Sequence, residues 1–190
     1  PMRDLTDRSF NPSASLALYD LLRTLAARTL AAGDGHLLEV GTHRGGSAAA
    51  LLGALAAGYA DRFLVTVDPW GARPYLFSDA RYGEEDQRVA MLELAGRASD
   101  EGLRWHHFKL TSEEFFGRVA DLGAWYAGRH HPYRWALVLL DGEHAYHTLR
   151  HEITSALPAL APGGAILVDN ANHQQLEEPL VLEEALEALA

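Results

Sequence analysis

The sequence predicts an α/β fold: a doubly wound, mostly parallel sheet with helices on both faces. Short apolar runs of strand length alternate along the chain with longer segments of helical periodicity, which is the pattern of βαβ units. The run at 137–140 is four apolar residues without alternation, as a buried strand requires. The chain has 190 residues, which fits a single domain. We therefore expect one domain, with a helical segment at 1–35 leading into a sheet domain at 36–190.

The first half of the chain predicts two strands and two helices. Asn11-Pro12-Ser13 is a helix start, and Gly33-Asp34-Gly35 ends that helix. An apolar strand is predicted at 36–40, followed by a helix of small residues at 45–60 that packs close to the sheet. The second strand is predicted at 63–67. A loop rich in glycine, proline and aromatic residues follows at 71–83.

The second half continues the alternation. A helix is predicted at 84–101, a strand at 103–108, and a helix opened by Ser112 as its cap with acids in the first turn. A strand at 135–140 and a helix at 146–160 come next, and the helix is stopped by Ala161-Pro162-Gly163-Gly164. The last predicted strand is 165–168, and the last helix is 180–190. We read the histidine pairs at 106–107 and 130–131 as surface or strand residues.

Composition excludes several classes of function. The net charge of −10 argues against a nucleic-acid partner, which demands a basic face. No apolar run approaches the roughly 20 residues that cross a bilayer, so we expect no membrane. The chain has no cysteine, which rules out disulfides and Cys-ligated metals. With no signal-peptide core near the start, we expect a cytoplasmic protein.

Four acids stand where predicted strands end, and these ends meet at one edge of a parallel sheet. They are Glu39, Asp68, Asp141 and Asp169. The first is followed by the turn Gly41 to Ser47, which reads G-x-x-x-G-G. Dinucleotide-binding folds place G-x-G-x-x-G here, and His43 stands where the second glycine belongs. An acid at this turn repels a pyrophosphate and suits a cationic or hydroxyl-rich cofactor. The alternative is an ordinary strand–helix turn.

The motifs at these strand ends resemble class I S-adenosylmethionine (SAM)-dependent methyltransferases. E-V-G-x-x-x-G-x-S is similar to their first motif in the form used by small-molecule O-methyltransferases, and V-T-V-D-P-W to the second. L-D-G-E-H-A-Y and L-P-A-L-A-P-G-G-A-I-L-V-D-N resemble the fourth and fifth strand motifs. The chain looks most like the branch with antibiotic-sugar O-methyltransferases and cephalosporin hydroxylase-like proteins. The match covers about residues 37–170.

The resemblance implies a set of cofactor contacts. The methionine part of SAM would contact the first turn, and Asp68 would bind the ribose. Trp70 would pack on the adenine, unless it serves only in loop packing. Ser112 belongs to the segment on the adenine side, and as a helix cap it can serve both purposes. The first-turn residues implied are Glu39, Gly41, Thr42, Gly45 and Ser47, with Asp141 also beside the cofactor.

Asp141, Asp169 and Asn170 form a set of hard oxygen donors at two strand ends, which is what Mg²⁺ prefers. The resemblance implies the same: divalent-metal O-methyltransferases have an acid at the fourth strand end and Asp-Asp or Asp-Asn at the fifth. A metal there would hold the acceptor hydroxyl and lower its pKa. Without a metal, Asp141 would orient groups and Asp169-Asn170 would cap a turn.

His144, three residues after Asp141, is the candidate general base, because an unperturbed histidine titrates near 6.5. The alternatives are a loop histidine that touches the cofactor or caps a helix. His144, His147 and His151 could instead form a zinc or iron site on one helix face; a solvated face is the other reading of His147 and His151. His173 is a candidate for the acceptor pocket.

We therefore expect a SAM-dependent, Mg²⁺-dependent O-methyltransferase acting on a small-molecule hydroxyl acceptor. A sugar or polyol is the first candidate and a catechol-like phenol the second, with loop 71–83 as a candidate lid. The main rival is a non-catalytic SAM-binding or scaffolding protein. An NAD-dependent oxidoreductase is disfavoured by His43 and by the lack of a Tyr-x-x-x-Lys pair. A nucleic-acid methyltransferase is disfavoured by the charge and by the lack of an N-P-P-Y-like motif.

The end of the chain departs from the resemblance. The methyltransferase fold finishes with a helix and two further strands, but only 20 residues follow Asn170 (190 − 170). They predict one helix and no strand, so the final β-hairpin is expected to be missing or truncated. A missing hairpin exposes a sheet edge, which proteins normally cover. We expect a dimer partner or the N-terminal helix to help cover it.

Overall fold

A computed structural model describes residues 16–70, 84–143 and 145–169 of the chain. Five helices and seven strands are present in these ranges. The helices are α1 (Leu16–Ala32), α2 (Gly46–Ala56), α3 (Glu84–Asp100), α4 (Ser112–Arg118) and α5 (Tyr146–Ala156). The strands are β1 (His36–Val40), β2 (Phe63–Val67), β3 (Arg104–Phe108), β4 (Ala124–Tyr126), β5 (Arg129–His131), β6 (Trp135–Leu140) and β7 (Leu160–Val168), with a short 3-10 helix at Leu157–Ala159.

The main sheet has the strand order β3-β2-β1-β6-β7, and every neighbouring pair in it is parallel. This is the doubly wound sheet that the sequence predicted, and the fold class is confirmed. Its centre is formed by β1, β2 and β6, which are mostly apolar and are buried along their whole length. The chain order reverses between β1 and β6, and in open parallel sheets this switch point is where ligands bind.

Each face of the sheet carries its own core. Successive residues of a strand point to opposite faces, so Leu37 packs on one side and Leu38 on the other. The first core joins the sheet to α1, α2 and α3, and the second joins it to α4 and α5. Helix α1 packs on α2 and against β6 and β7, so the N-terminal segment shares the core of the sheet domain.

The sequence placed the end of the chain's fifth helix and the start of the last strand incorrectly. The helix ends at Ala156 instead of 160, because Pro158 has no backbone N–H and the chain tightens into the 3-10 helix there. Strand β7 then begins at Leu160, and its pairing with β6 is shifted between Leu160 and Ala165. The Pro162-Gly163-Gly164 stretch is thus an irregularity inside a strand, and not a loop before it.

The sequence analysis also missed the antiparallel pair of β4 and β5. Each strand has three residues, and their two-residue turn has Ala127 and Gly128 at positive φ, 50° and 75°. Such turns usually carry Asn-Gly or Asp-Gly, and Ala-Gly gives no comparable signal. No helix in the described ranges combines the length and the apolar character needed to cross a membrane.

Gly41 occupies the tightest point of this architecture. Its φ is +86°, a conformation that residues with a side chain rarely adopt. A Cβ added to it would lie 2.1 Å from the backbone oxygen of Asp141. The position therefore requires glycine both for its backbone angle and for the close approach of two strand ends.

We expect Gly41→Ala to lower the free energy of unfolding by about 2 kcal/mol or more. A left-handed φ is unfavourable for alanine, and the added Cβ would clash with backbone atoms that cannot move aside. The matched control is Gly96→Ala in α3, where an added Cβ meets nothing within 4 Å. This control should gain about 0.5–1 kcal/mol, since alanine favours the helix. Urea denaturation of the three proteins measures both changes. Equal stability of Gly41→Ala and wild type would contradict the geometric argument.

Candidate active site

The residues that follow β1, β6 and β7 are aligned by three backbone hydrogen bonds that extend the parallel pairing. Gly41 N donates to Val67 O at 2.9 Å, and Asp141 N donates to Val40 O at 2.9 Å. Asp169 N donates to Leu140 O at 3.0 Å in the same way. The strand ends therefore lie at one level along one edge of the sheet, and the acids predicted there are neighbours in space.

Asp68 organises the turn between β1 and α2. Its Oδ2 accepts hydrogen bonds from the backbone N–H groups of Thr42 and His43, both at 2.9 Å. Its Oδ1 accepts from the backbone N–H of Trp70 at 2.8 Å and from Nε2 of Gln87 at 3.1 Å. All four acceptor sites of the carboxylate are thus used within the chain. A ribose bound at Asp68 would have to replace one of these donors.

The turn itself is closed by Gly45, whose N–H donates to Thr42 O at 2.7 Å. Gly45 has a φ of +81° and precedes the first residue of α2. His43, at the position where a dinucleotide-binding turn has glycine, also has a positive φ of 47°. The turn therefore takes left-handed backbone at Gly41, His43 and Gly45.

Glu39 is fully buried beneath this turn. Burial and the nearby Asp68 raise its pKa to about 8, although the hydroxyls of Ser47 and Thr42 oppose the rise. Within the described part of the chain, neither carboxylate oxygen has a hydrogen-bond partner of normal geometry. A buried carboxyl group without partners is costly to the fold, which is the mark of a group kept for a ligand.

Asp141 and Asp169 face each other at the ends of β6 and β7. Burial raises the pKa of Asp141 well above its ordinary value, and the charge of Asp169, a hydrogen bond between the two carboxyl groups and the charge of Glu39 add to it. Two carboxyl groups this close offer the hard oxygen donors that a divalent cation takes. Among the residues described, no group of three or more His, Asp or Glu side chains has the arrangement of a metal site.

A cavity of about 310 Å³ opens at this edge, on the face that carries α4 and α5. It extends from the ends of β1 and β2 to the first turn of α4 and to the first half of α5. Three residues predicted from the sequence, Gly41, Asp68 and Ser112, line this cavity. The complete lining is Val40, Gly41, Val67, Asp68, Pro69, Thr111, Ser112, Glu113, Gly142, Glu143, His147, Thr148 and Glu152.

Ser112 lies in the first turn of α4 but is not its cap. Thr111 is the cap, and its hydroxyl accepts from the backbone N–H of Glu114 at 3.2 Å. The carboxylate of Glu114 accepts the N–H of Thr111 at 3.0 Å in return. The spacing T-x-x-E explains the correction, because it forms a capping box that Ser112 cannot form with Phe115. The Ser112 side chain is thereby free to face the cavity.

Trp70 is anchored away from this cavity by a chain of hydrogen bonds. Its indole N–H donates to Nε2 of His107 at 2.6 Å, and the two rings stack at 5.5 Å. The proton of the neutral imidazole must then be on Nδ1, which lies 2.8 Å from the hydroxyl of Thr66. Trp105 also donates to this hydroxyl, at 3.0 Å. Burial lowers the pKa of His107 to about 4, so the arrangement persists at neutral pH.

Trp70 was expected to pack on adenine, and the structure shows it in contact with His107. The role of Trp70 toward a cofactor stays a prediction. The sequence analysis assigned no partner to the histidines of β3. The signal was present in the parallel register, because Thr66 stands directly beside His107 across β2 and β3. His147 lines the cavity from α5, and the ring of His151 packs edge-on against Phe116 at 6.1 Å.

Several predicted site residues lie outside the described residues: His144, Asn170, His173, the candidate lid at 71–83 and the last helix. Their roles stay predictions. The sequence analysis in turn missed two buried polar residues of the site. Gln87 is fully buried and reaches Asp68 from α3, and Glu152 is buried on α5 beside the cavity.

A comparison of this chain with known protein families identifies the family to which it is similar. The methyltransferase domain family matches residues 38–171, well over half of the chain. No curated protein matches the chain. This family match supports the resemblance to class I methyltransferases that the strand-end motifs indicated.

Solved structures show the same fold at low identity. The O-methyltransferase NovP is 16% identical, with a TM-score of 0.62 over 92% of this chain and 73% of its own. The O-methyltransferase TomG of Streptomyces achromogenes, involved in tomaymycin synthesis and solved with SAM, is 20% identical, with a TM-score of 0.58 over 98% and 74%. CalS11, a TDP-rhamnose 3'-O-methyltransferase of calicheamicin biosynthesis, is 14% identical, with a TM-score of 0.62 over 89% and 69%.

The parallel sheet, the glycine turn after β1 and the acids at the strand ends thus occur together with a family match over most of the chain. The chain belongs to the methyltransferase domain family.

Proposed function

We propose that the protein is a SAM-dependent O-methyltransferase that transfers a methyl group to a hydroxyl of a small molecule. The observation that carries the proposal is the convergence of buried carboxyl groups on one edge of the sheet, next to a cavity of about 310 Å³. Family membership supports methyl transfer, and the solved O-methyltransferases that share the fold support oxygen as the acceptor atom.

The residues of the first turn fit SAM better than a dinucleotide. SAM presents an ammonium group, a sulfonium and two ribose hydroxyls, and these are cations or hydrogen-bond donors. Glu39 offers two acceptor oxygens without partners in the described chain, and Asp68 offers a carboxylate at the cavity wall. Gly41 lines the cavity, so its backbone can contact a ligand bound there. A pyrophosphate is an anion with no hydrogen-bond donor, so the carboxylate of Asp68 would repel it.

Asp141 and Asp169 are the residues that would hold a divalent cation, with Asn170 as the predicted third ligand. The fit rests on their chemistry: both are hard oxygen donors, and the two carboxyl groups now share a hydrogen bond that one cation would replace. A cation at this position would lower the pKa of an acceptor hydroxyl bound to it. Mg²⁺ is the first candidate because the donors are all oxygens.

The chemistry of the transfer requires three things of the chain. SAM supplies a methyl group on positively charged sulfur, and in the reaction the carbon–sulfur bond breaks as a carbon–oxygen bond forms. The turn residues and Asp68 hold the donor, and Asp141 orients the acceptor oxygen, so that the two are in line. The acceptor's proton must leave to a base, for which His144 is the candidate.

We infer that the acceptor is a sugar or polyol hydroxyl, with a catechol-like phenol as the second candidate. Support comes from CalS11, which acts on a TDP-rhamnose and shares the fold. A small natural product fits the acidic composition, which disfavours nucleic acid. Tritiated SAM incubated with a panel of sugars, polyols and catechols tests this directly, and label transferred to neither class would contradict it.

We also infer a homodimer. Among the described strands, β7 is at the edge of the main sheet, next to β6 only. An unpaired edge is normally covered, and a second copy of the chain can cover it. Light scattering on the eluting protein should give about twice the mass of 20.8 kDa. A mass equal to one chain at micromolar concentration would contradict the dimer.

We expect S-adenosylhomocysteine to bind the purified chain in calorimetric titrations with micromolar affinity, and to bind differently in Mg²⁺ than in EDTA. Asp169→Asn should remove the effect of Mg²⁺ on binding. Its affinity for S-adenosylhomocysteine in EDTA should change less than about threefold, because the carboxylate binds the cation and does not contact the nucleoside. Asp100→Asn at the exposed end of α3 is the control for loss of one charge. Absence of binding in both buffers would refute SAM dependence, and an Mg²⁺ effect that survives in Asp169→Asn would refute the metal assignment.

We expect the affinity for S-adenosylhomocysteine in EDTA to rise with pH between 6 and 8. The pKa of Glu39 is raised to about 8, so the free protein holds this carboxyl protonated below pH 8. If its oxygens accept the ligand's ammonium, binding releases that proton, and affinity rises by up to about tenfold per pH unit. Glu39→Gln cannot ionise and should lose the dependence. A wild-type affinity independent of pH over this range would show that Glu39 does not ionise on binding.

A further inference from the structure

Glu152 is a buried acid on the helix that follows β6, and nothing in the proposed transfer uses it. Only 1% of its surface is exposed, yet it lines the cavity together with the first turn of α4. It stands on the apolar side of α5, between the core residues Leu149, Ile153 and Ala156. An ionisable group on the buried face of a helix costs stability unless something pairs with it.

The carboxyl group of Glu152 is only half satisfied. The hydroxyl of Ser112 hydrogen-bonds to it from α4. Its Oε1 is buried without a hydrogen-bond partner among the described residues. A Cβ built on Gly142 would lie 3.8 Å from this Oε1 and 3.3 Å from a methyl carbon of Val40. The free oxygen is therefore near the ends of β1 and β6, where the cavity meets the sheet.

The surroundings of Glu152 are rich in acceptors and poor in cations. Glu113 and Glu143 also line the cavity, and no lysine or arginine is among its described lining residues. Burial raises the pKa of Glu152 to about 7, with further contributions from Glu143 and Glu113, while Ser112 opposes the rise. Such a site favours a group that donates hydrogen bonds and disfavours an anion, because its carboxyl groups are acceptors.

The proposed function leaves one part of the cofactor for this end of the cavity. With the methionine part at the first turn and the ribose at Asp68, the base must lie toward α4 and α5. The purine of SAM carries one exocyclic donor, its 6-amino group. Resting on the proposed function, we propose that Glu152 accepts a hydrogen bond from the 6-amino group of the cofactor's purine and selects 6-amino purines.

The test compares S-adenosylhomocysteine with its analogue in which hydrogen replaces the 6-amino group. Calorimetry on the wild type should give about tenfold or greater preference for the amino ligand, because the analogue leaves Oε1 buried without a partner. In Glu152→Met the two ligands should bind within about twofold of each other. The ratio of two dissociation constants for one protein cancels any general damage to the site.

Two further variants serve as controls for this experiment. Glu152→Gln keeps an acceptor oxygen and should retain part of the preference, and it serves if Glu152→Met does not fold by thermal denaturation. Asp100→Asn changes an exposed acid at the end of α3, outside the lining of the cavity, and should retain the whole preference. A wild type that binds both ligands equally, or a Glu152→Met protein that keeps the full preference, overturns the role of Glu152 and leaves SAM binding standing. A wild type that binds neither ligand overturns the proposed function itself, and this inference with it.

Discussion

The close contact between the turn after β1 and the end of β6 is the constraint on which the rest of the site depends. Gly41 has no side chain to separate its backbone from that of Asp141. Because the contact is made, Gly41 N pairs with Val67 O, and the N–H groups of the following turn point at Asp68. The carboxyl ends of three strands are thereby fixed at one level, and the cavity is the space above them.

The central sheet could be predicted from the sequence because its strands are short and mostly apolar. Strands β1, β2 and β6 have the bounds that the apolar pattern indicated, since burial on both faces leaves no alternative for such segments. Pairing that depends on local backbone detail could not be predicted. The hairpin of β4 and β5 turns at Ala127, and the irregular start of β7 contains Pro162, a residue that rarely enters a strand.

The convergence of the strand-end acids followed from topology alone, but their partners did not. Asp68 was expected to face a ligand, and the structure shows it holding the turn and Gln87, a residue of α3 with no distinguishing motif. Glu152 carried a signal that was overlooked, because it is an acid at helical spacing from Leu149 and Ile153. Hydrogen bonds between distant elements depend on side-chain directions that periodicity does not encode.

The saturated carboxylate of Asp68 bears on how a ligand arrives. Hydroxyl groups that enter there exchange with existing donors, so the net enthalpy gained at this residue is small. The backbone donors of Thr42 and His43 are fixed by the turn, whereas Gln87 Nε2, at 3.1 Å, has the longest of the four hydrogen bonds and belongs to a side chain. A ligand that displaced this donor would couple occupancy of the site to the side-chain position of Gln87 on α3. Where such a rearrangement accompanies binding, association is slower than diffusion allows, and the lifetime of the complex reflects the return of Gln87 as well as the ligand's own contacts.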